Sequence, residues 1–211
     1  MSFIVGIDEA GRGPLAGPVS VGIFMTDQKT GNWILKNIFE NKLRDSKKLS
    51  PKKREEIYKK FLILRKNPTS LKLRGASKIF FSVISISNKI IDEYGISKAI
   101  QTGVTKSLKK LHHTSLMKKG NPSFIRLDGL LKAPKEFKNQ KTIIKGDEKD
   151  VFIACASIVA KVSRDRLMRR LAKKYPKYHF EIHKGYGTIL HRNLIKKYGL
   201  SPLHRKTFCK I

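Results

Sequence analysis

The sequence predicts one mixed α/β domain with a basic C-terminal segment, and three observations lead there. Short apolar runs bounded by Gly, Pro or Asp, at 3–7, 18–25, 33–39, 79–86, 123–129 and 142–148, read as strands. Longer stretches with helical spacing fall between and after them, at 51–66, 88–112 and 150–173. The 211 residues, 40% hydrophobic and 29% charged, suffice for one core, and no repeat or low-complexity linker divides them.

In chain order, FIVGI (3–7) runs into Asp8-Glu9 and reads as a buried strand, and Gly11-Arg12-Gly13-Pro14 forces a turn. PVSVGIFM (18–25) and WILKNIF (33–39) read as strands joined by a turn over 27–32, and short connections favour antiparallel pairing. Ser50-Pro51 supplies a helix N-cap and first position, so a helix is expected to about residue 66. Residues 70–74 and 79–86 read as strand. Ile96, Ile100, Val104, Leu108 and Leu111 then mark the buried face of a helix over 96–112, preceded by helical character over 88–94. Strands are expected at 123–129 and 142–148, a long helix over 150–173, and a further helix near 188–198.

Forty-six Lys and Arg against 16 Asp and Glu give +30, a field that points to a polyanion such as nucleic acid. No run reaches the roughly 18 apolar residues of a membrane span. The opening MSFIVGIDEA has no basic leader, and Cys155 and Cys209 make no disulfide framework, so a reducing cytoplasmic setting is expected. Charge alone fits a non-catalytic binder equally well.

The few acids discriminate. Asp8, Asp128 and Asp147 each end a short apolar run (FIVGID, FIRLD, TIIKGD), where an ionised carboxylate must be paired or metal-bound. Ligands of open α/β sheets gather beyond the carboxyl ends of strands, so the three would form one acidic cluster, selecting Mg²⁺ or Mn²⁺. Two such ions suit phosphodiester hydrolysis. Glu9, next to Asp8, joins the cluster only if the strand ends or bulges there. GRGPLA matches a dinucleotide-binding pattern, but Pro14 and Pro18 lead into strand instead of helix, so that reading is rejected. Glycines flanking an arginine instead let backbone amides approach a sugar-phosphate chain and a 2′-OH. Asp165 is a rival candidate for the cluster, but pairing with Lys161 and Arg169 at helical spacing accounts for it. Glu148 and Asp150 suit the start of the long helix. His179 and His183 have no further ligands near them in sequence.

These residues resemble the ribonuclease HII family across almost the whole chain. IVGIDEAGRGPLAGPV, LRDSKKLS (43–50), IDEYGISKA (91–99), RLDGL, IIKGDEKDVFIACASIVAKVSRDRLM (143–168), HKGYGTILH (183–191) and HRKTF (204–208) are similar to its motifs in order. Departures are Cys155 for a usual Ala, Ser163 for Thr, and Lys206-Thr207 in the last motif. The resemblance implies an RNase H-like fold, a five-stranded mixed sheet flanked by helices with a helical C-terminal segment. Residues 1–175 would form the catalytic domain, and 176–211 a basic segment packed on it. It implies hydrolysis of the RNA strand of RNA/DNA hybrids and cutting 5′ to a ribonucleotide embedded in duplex DNA, leaving 3′-hydroxyl and 5′-phosphate ends. It assigns Asp8, Glu9, Asp128 and Asp147 to two divalent ions, Gly11, Arg12 and Gly13 to the ribose 2′-OH, and Tyr186 to the neighbouring deoxyribose. Lys47, Lys48, Lys161, Lys184 and Arg192 are expected on the phosphate backbone. A monomer with no obligate protein partner is expected. The sister ribonuclease HIII family usually carries an extra N-terminal substrate-binding domain, which is not expected here, where the first strand is read from residue 3.

Overall fold

The computed structural model describes residues 2–43, 49–67, 78–112, 114 and 122–209. Five strands form one mixed sheet in the order β3-β2-β1-β4-β5: β1 (Phe3–Ala10), β2 (Val19–Asp27), β3 (Phe80–Ile86), β4 (Phe124–Asp128) and β5 (Gln140–Ile143). β1 pairs antiparallel with β2, and β2 with β3, while β4 and β5 add in parallel on the other side of β1.

Helices cover both faces. On one lie α1 (Gln28–Asn37), α2 (Pro51–Lys66) and α4 (Val151–Ala172), around Phe24, Phe61, Phe81 and Phe152. On the other, α3 (Asn88–His112), bent at Gly95, packs Ile100, Val104, Leu108 and Leu111 on Val5, Ile7, Val21 and Ile23. The period-2 alternation of β1 thus sends Val5 and Ile7 to α3, and Ile4, Gly6 and Asp8 toward α4. Short helices α5 (Phe180–His183) and α6 (Ile189–Tyr198) follow α4 and pack around Tyr178 and Phe180.

The Ser50 cap and Pro51 start of α2 are as expected, with Ser50 Oγ accepting from Lys53 N at 3.2 Å. WILKNIF does not form a strand. Asp27 caps a helix there, accepting from Thr30 N at 2.7 Å, and Ile34 turns into the core. Gly31, expected in a turn, lies inside this helix against the Phe152 ring, which a Cβ at this position would meet at 2.6 Å. The expected strand at 142–148 is shifted and cut short. β5 ends at Ile143, Lys145 adopts a left-handed backbone (φ 54°), and Gly146–Glu148 is a 3-10 turn leading to α4. The expected strand at 70–74, and Lys47 and Lys48, lie outside the described residues. No described helix is long and apolar enough to cross a membrane.

Candidate active site

The β1–β4 ladder stops at the Ile7–Leu127 pair, while β1 continues along β2 through Ala10 without a bulge. Asp8, Glu9 and Asp128 therefore emerge where the sheet parts. β1 ends at Ala10, one residue past Glu9, and carries no bulge. It is the loss of the β4 neighbour that frees this edge.

Asp8 is 5% exposed. Burial, then the charges of Asp128 and Glu9, hold its carboxyl well above the usual range, opposed by hydrogen bonds from Ser157 and the Glu9 N–H. Glu9 is also raised by burial, against the pull of Arg12, whose Nη1 lies 3.4 Å from Glu9 Oε1. Asp128 Oδ1 accepts the Gly146 N–H at 2.6 Å, tying the end of β4 to the turn that carries Asp147. Asp147 is fully buried on that turn, not at a strand end. Asp150 caps α4, accepting from Phe152 N and Ile153 N, and pairs with Arg126 at 2.6 Å.

The carboxylates of Asp8, Glu9 and Asp128 are the donor chemistry that fits a hard divalent cation: the Asp128 charge raises the cost of ionising both Asp8 and Glu9, which a cation between them would relieve. They are not drawn into a closed coordination sphere. Among the described residues no three His, Cys, Asp or Glu side chains stand at metal-binding spacing.

Beside these acids opens a cleft of about 340 Å³, lined by Glu9, the Gly11–Gly13 loop, Arg54, Ser157, Lys161 and Tyr186. Two buried arginines hold its floor. Arg205 donates to the carbonyls of Gly11 (2.6 Å), Arg12 (2.9 Å) and Gly17 (2.9 Å). Arg164 donates to Pro18 (2.9 Å), Lys184 (3.1 Å) and Ala16 (3.3 Å). Burial, then the neighbouring Arg164 charge, pushes the Arg205 guanidinium down to about 9. Gly11 is needed here, since it has φ +94° and a Cβ would lie 2.0 Å from Arg164 Nε. Gly13, by contrast, has open space around it.

Tyr186, 40% exposed, stands on the other wall. Lys161 Nζ and Arg164 Cζ lie 5.3 and 5.8 Å from its ring centre. Lys161 also pairs with Asp165 at 2.9 Å, as expected for that acid, whereas Arg169 donates to the Asp165 main-chain carbonyl and pairs with Glu55. His183 donates to the Tyr178 carbonyl and accepts from Gly185 N, and His179 faces Glu181, so the two form no ligand set. The sequence reading did not single out Arg54, Ser157, Arg164 or Arg205. Arg164 and Ser157 sit within the matched 143–168 block, the one signal that could have found them.

The chain matches the family model described as ribonuclease HII over residues 5–211. It is 42% identical over 208 residues to ribonuclease HII of Caldicellulosiruptor bescii, covering 99% of this chain and 87% of that protein.

This chain belongs to the ribonuclease HII family.

Its fold agrees with the crystal structure of ribonuclease H2 from Pyrococcus horikoshii OT3, with a TM-score of 0.68 and 25% identity over 97% of this chain and 93% of that one. The RNase HII of Archaeoglobus fulgidus, whose structure is a complex with PCNA, shares the fold with a TM-score of 0.70 at 23% identity, over 97% and 94% of the two chains. As a ribonuclease HII the protein is an enzyme of the ribonuclease H class, a metal-dependent nuclease acting on RNA/DNA hybrids.

In this ribonuclease HII chain the buried imidazoles of His183, His191 and His204 are all held below the usual histidine range, first by burial, with His191 at about 4. A depressed histidine stabilises the fold above the unfolded pKa of about 6.5, and that stability drains as pH falls toward the folded value. Asp8 and Glu9, both raised, contribute with the opposite sign, so the measurement belongs in an Asp8→Asn/Glu9→Gln background. Urea unfolding there is expected to lose on the order of 2 kcal/mol between pH 7 and 4.5. A flat profile would show that the imidazoles are already charged in the native state.

Proposed function

We propose that this ribonuclease HII hydrolyses the RNA strand of RNA/DNA hybrids and also cuts 5′ to a single ribonucleotide in duplex DNA, leaving 3′-hydroxyl and 5′-phosphate ends. The observation that supports it is the placing of three mutually repelling carboxylates, Asp8, Glu9 and Asp128, beside a cleft walled by the Gly11–Gly13 loop and Tyr186.

Asp8, Glu9, Asp128 and Asp147 are the residues that would hold two divalent ions, Mg²⁺ or Mn²⁺. The chemistry such ions supply when bound is activation of a water and stabilisation of the leaving 3′ oxygen. The chain's own residues do the selecting. With the carbonyls of Gly11 and Arg12 turned down onto Arg205, the loop offers its other face to a ribose 2′-OH. Tyr186, its ring set over two cations, offers an apolar face to the following deoxyribose. Lys161, Lys47 and the +30 field hold the phosphate backbone, residues 176–211 adding grip to chemistry carried by residues 1–175. The working form in this reading is a cytoplasmic monomer with no obligate protein partner.

The decisive experiment is a DNA duplex carrying one ribonucleotide, incubated with Mg²⁺, Mn²⁺ or EDTA. A nick 5′ to the ribonucleotide is expected with either metal and none with EDTA, and all-DNA and all-RNA duplexes should resist. Absence of the nick under both metals would refute the embedded-ribonucleotide activity. Gly13→Ala tests the loop separately. Nothing lies within 4 Å of the added Cβ, so stability should hold, while kcat/KM on this substrate should fall about 10- to 100-fold as the methyl fends off the ribose.

A further inference from the structure

The C-terminal strap crosses behind the cleft and binds both of its walls through consecutive residues. It is anchored on segment 15–17 by Gly17 N to Leu203 O and Arg205 N to Leu15 O, each 2.8 Å. Asn88 Nδ2 donates to the carbonyls of Pro202 and His204, and Asp92 accepts from Lys206 N and Thr207 N. Arg205 grips Gly11 and Arg12 as described above. His204 reaches the opposite wall. Its Nε2 lies 3.1 Å from His191 Nε2, and His191 Nδ1 lies 2.9 Å from the Tyr186 carbonyl oxygen.

Proton counting gives this chain one direction. A carbonyl only accepts, so His191 Nδ1 carries its proton and, in the neutral ring, Nε2 is the acceptor. His204 Nε2 must then be the donor, leaving its Nδ1 to accept the Ser201 N–H at 2.8 Å. His191 and His204 are 0% and 2% exposed, and the groups packed on them are the neutral His183 ring, stacked 4.1 Å from His191, and the rings of Phe180 and Tyr178. Among the described residues, none of the groups acting on His191 and His204 is a carboxylate, and the Glu181 charge reaches only the stacked His183 ring.

We propose that His204 and Arg205 are positioning residues that fix Tyr186 and the Gly11–Gly13 loop at a set separation, so that recognition of the ribose–deoxyribose junction depends on one strap. The proposal rests on the reading that Tyr186 and the loop contact that junction. Neither residue touches substrate. Each acts by holding main-chain oxygens of a wall that does, and a misplacement of about 1 Å in such a wall costs on the order of 100-fold in rate.

The test is kcat/KM on the single-ribonucleotide duplex for His204→Phe and His204→Gln, each alone and in a Tyr186→Ala background, with thermal melts in parallel. Gln keeps an N–H near the Nε2 position, and Phe does not. His204→Phe should lose about 10- to 100-fold, Gln should recover to within about threefold, and His204→Phe should add less than about twofold once Tyr186 is gone. If Gln is no better than Phe, or the losses multiply in the Tyr186→Ala background, His204 is a packing residue and the proposal fails. If Tyr186→Ala alone leaves cleavage intact, it is the reading of Tyr186 that fails, and the proposal with it. Should His204→Phe not fold, His191→Asn against His191→Leu makes the same comparison, since Asn keeps the donor to the Tyr186 carbonyl. Arg205→Lys in a Gly13→Ala background applies the cycle to the other wall, with non-additive losses expected and multiplying losses contrary.

Discussion

Asp8→Asn is expected to reduce cleavage by at least about 10³-fold, roughly 4 kcal/mol of transition-state stabilisation, with the duplex still bound. The carboxylate is buried beside Asp128 and Glu9, where its negative charge is costly to the fold and of use only to a cation. Asn keeps the side-chain oxygen that accepts the Glu9 N–H at 2.7 Å, so the local geometry survives while the charge is lost. Two further consequences follow from the sign. At neutral pH, where the raised carboxyl opposes folding, the melting temperature without metal should stay level or rise. Removing a negative charge from a protein of net +30 should leave duplex binding unchanged or tighter at fixed salt. Single-turnover cleavage, a gel-shift titration and a melt measure the three. Cleavage within tenfold of the parent protein would remove Asp8 from the reacting centre.

Gly6→Ala should be the most damaging small substitution in the core, costing about 3 kcal/mol or more. Its Cβ would fall 2.1 Å from both the carbonyl carbon and oxygen of Phe152 and 2.7 Å from Ile153 N. These are main-chain atoms of the first turn of α4, which the Asp150 cap holds in place, so no rotamer change relieves the clash. The same close approach sets Asp8 under Ser157 and the Asp147 turn beside β4, so cleavage should fall with stability. Chemical denaturation compares it with Gly13→Ala, which adds the same methyl to open space. Equal midpoints for the two variants would mean that α4 does not rest on Gly6.

Much of the chemistry was legible in the sequence because its signals are local. An acid ending an apolar run is anomalous whatever the fold, which singles out Asp8, Asp128 and Asp147. Ser50-Pro51 and the spacing from Ile96 to Leu111 likewise report short-range geometry, and the structure carries both helices. The strand reading of 33–39 failed because seven mostly apolar residues suit a strand or a buried helix face equally. The choice fell to the Asp27 cap and to the Phe152 ring filling the space above Gly31. Asp147 is buried, as its apolar context suggests, but it sits on a 3-10 turn and not at a strand end, since a left-handed Lys145 ends the extended backbone first.

By itself, then, the sequence determined the buried faces of β1 and of the helix over 96–112, the basic field and the identity of the anomalous acids, all properties of composition and near-neighbour spacing. Tertiary structure alone decided that Asp8, Glu9 and Asp128 feel one another's charge, and that Arg205 and His204 reach back to the two walls of one cleft. Those contacts join groups up to 194 residues apart, and their acceptors are mostly main-chain carbonyls. Every residue has such a carbonyl, so nothing in the string of side chains marks the ones that will be used.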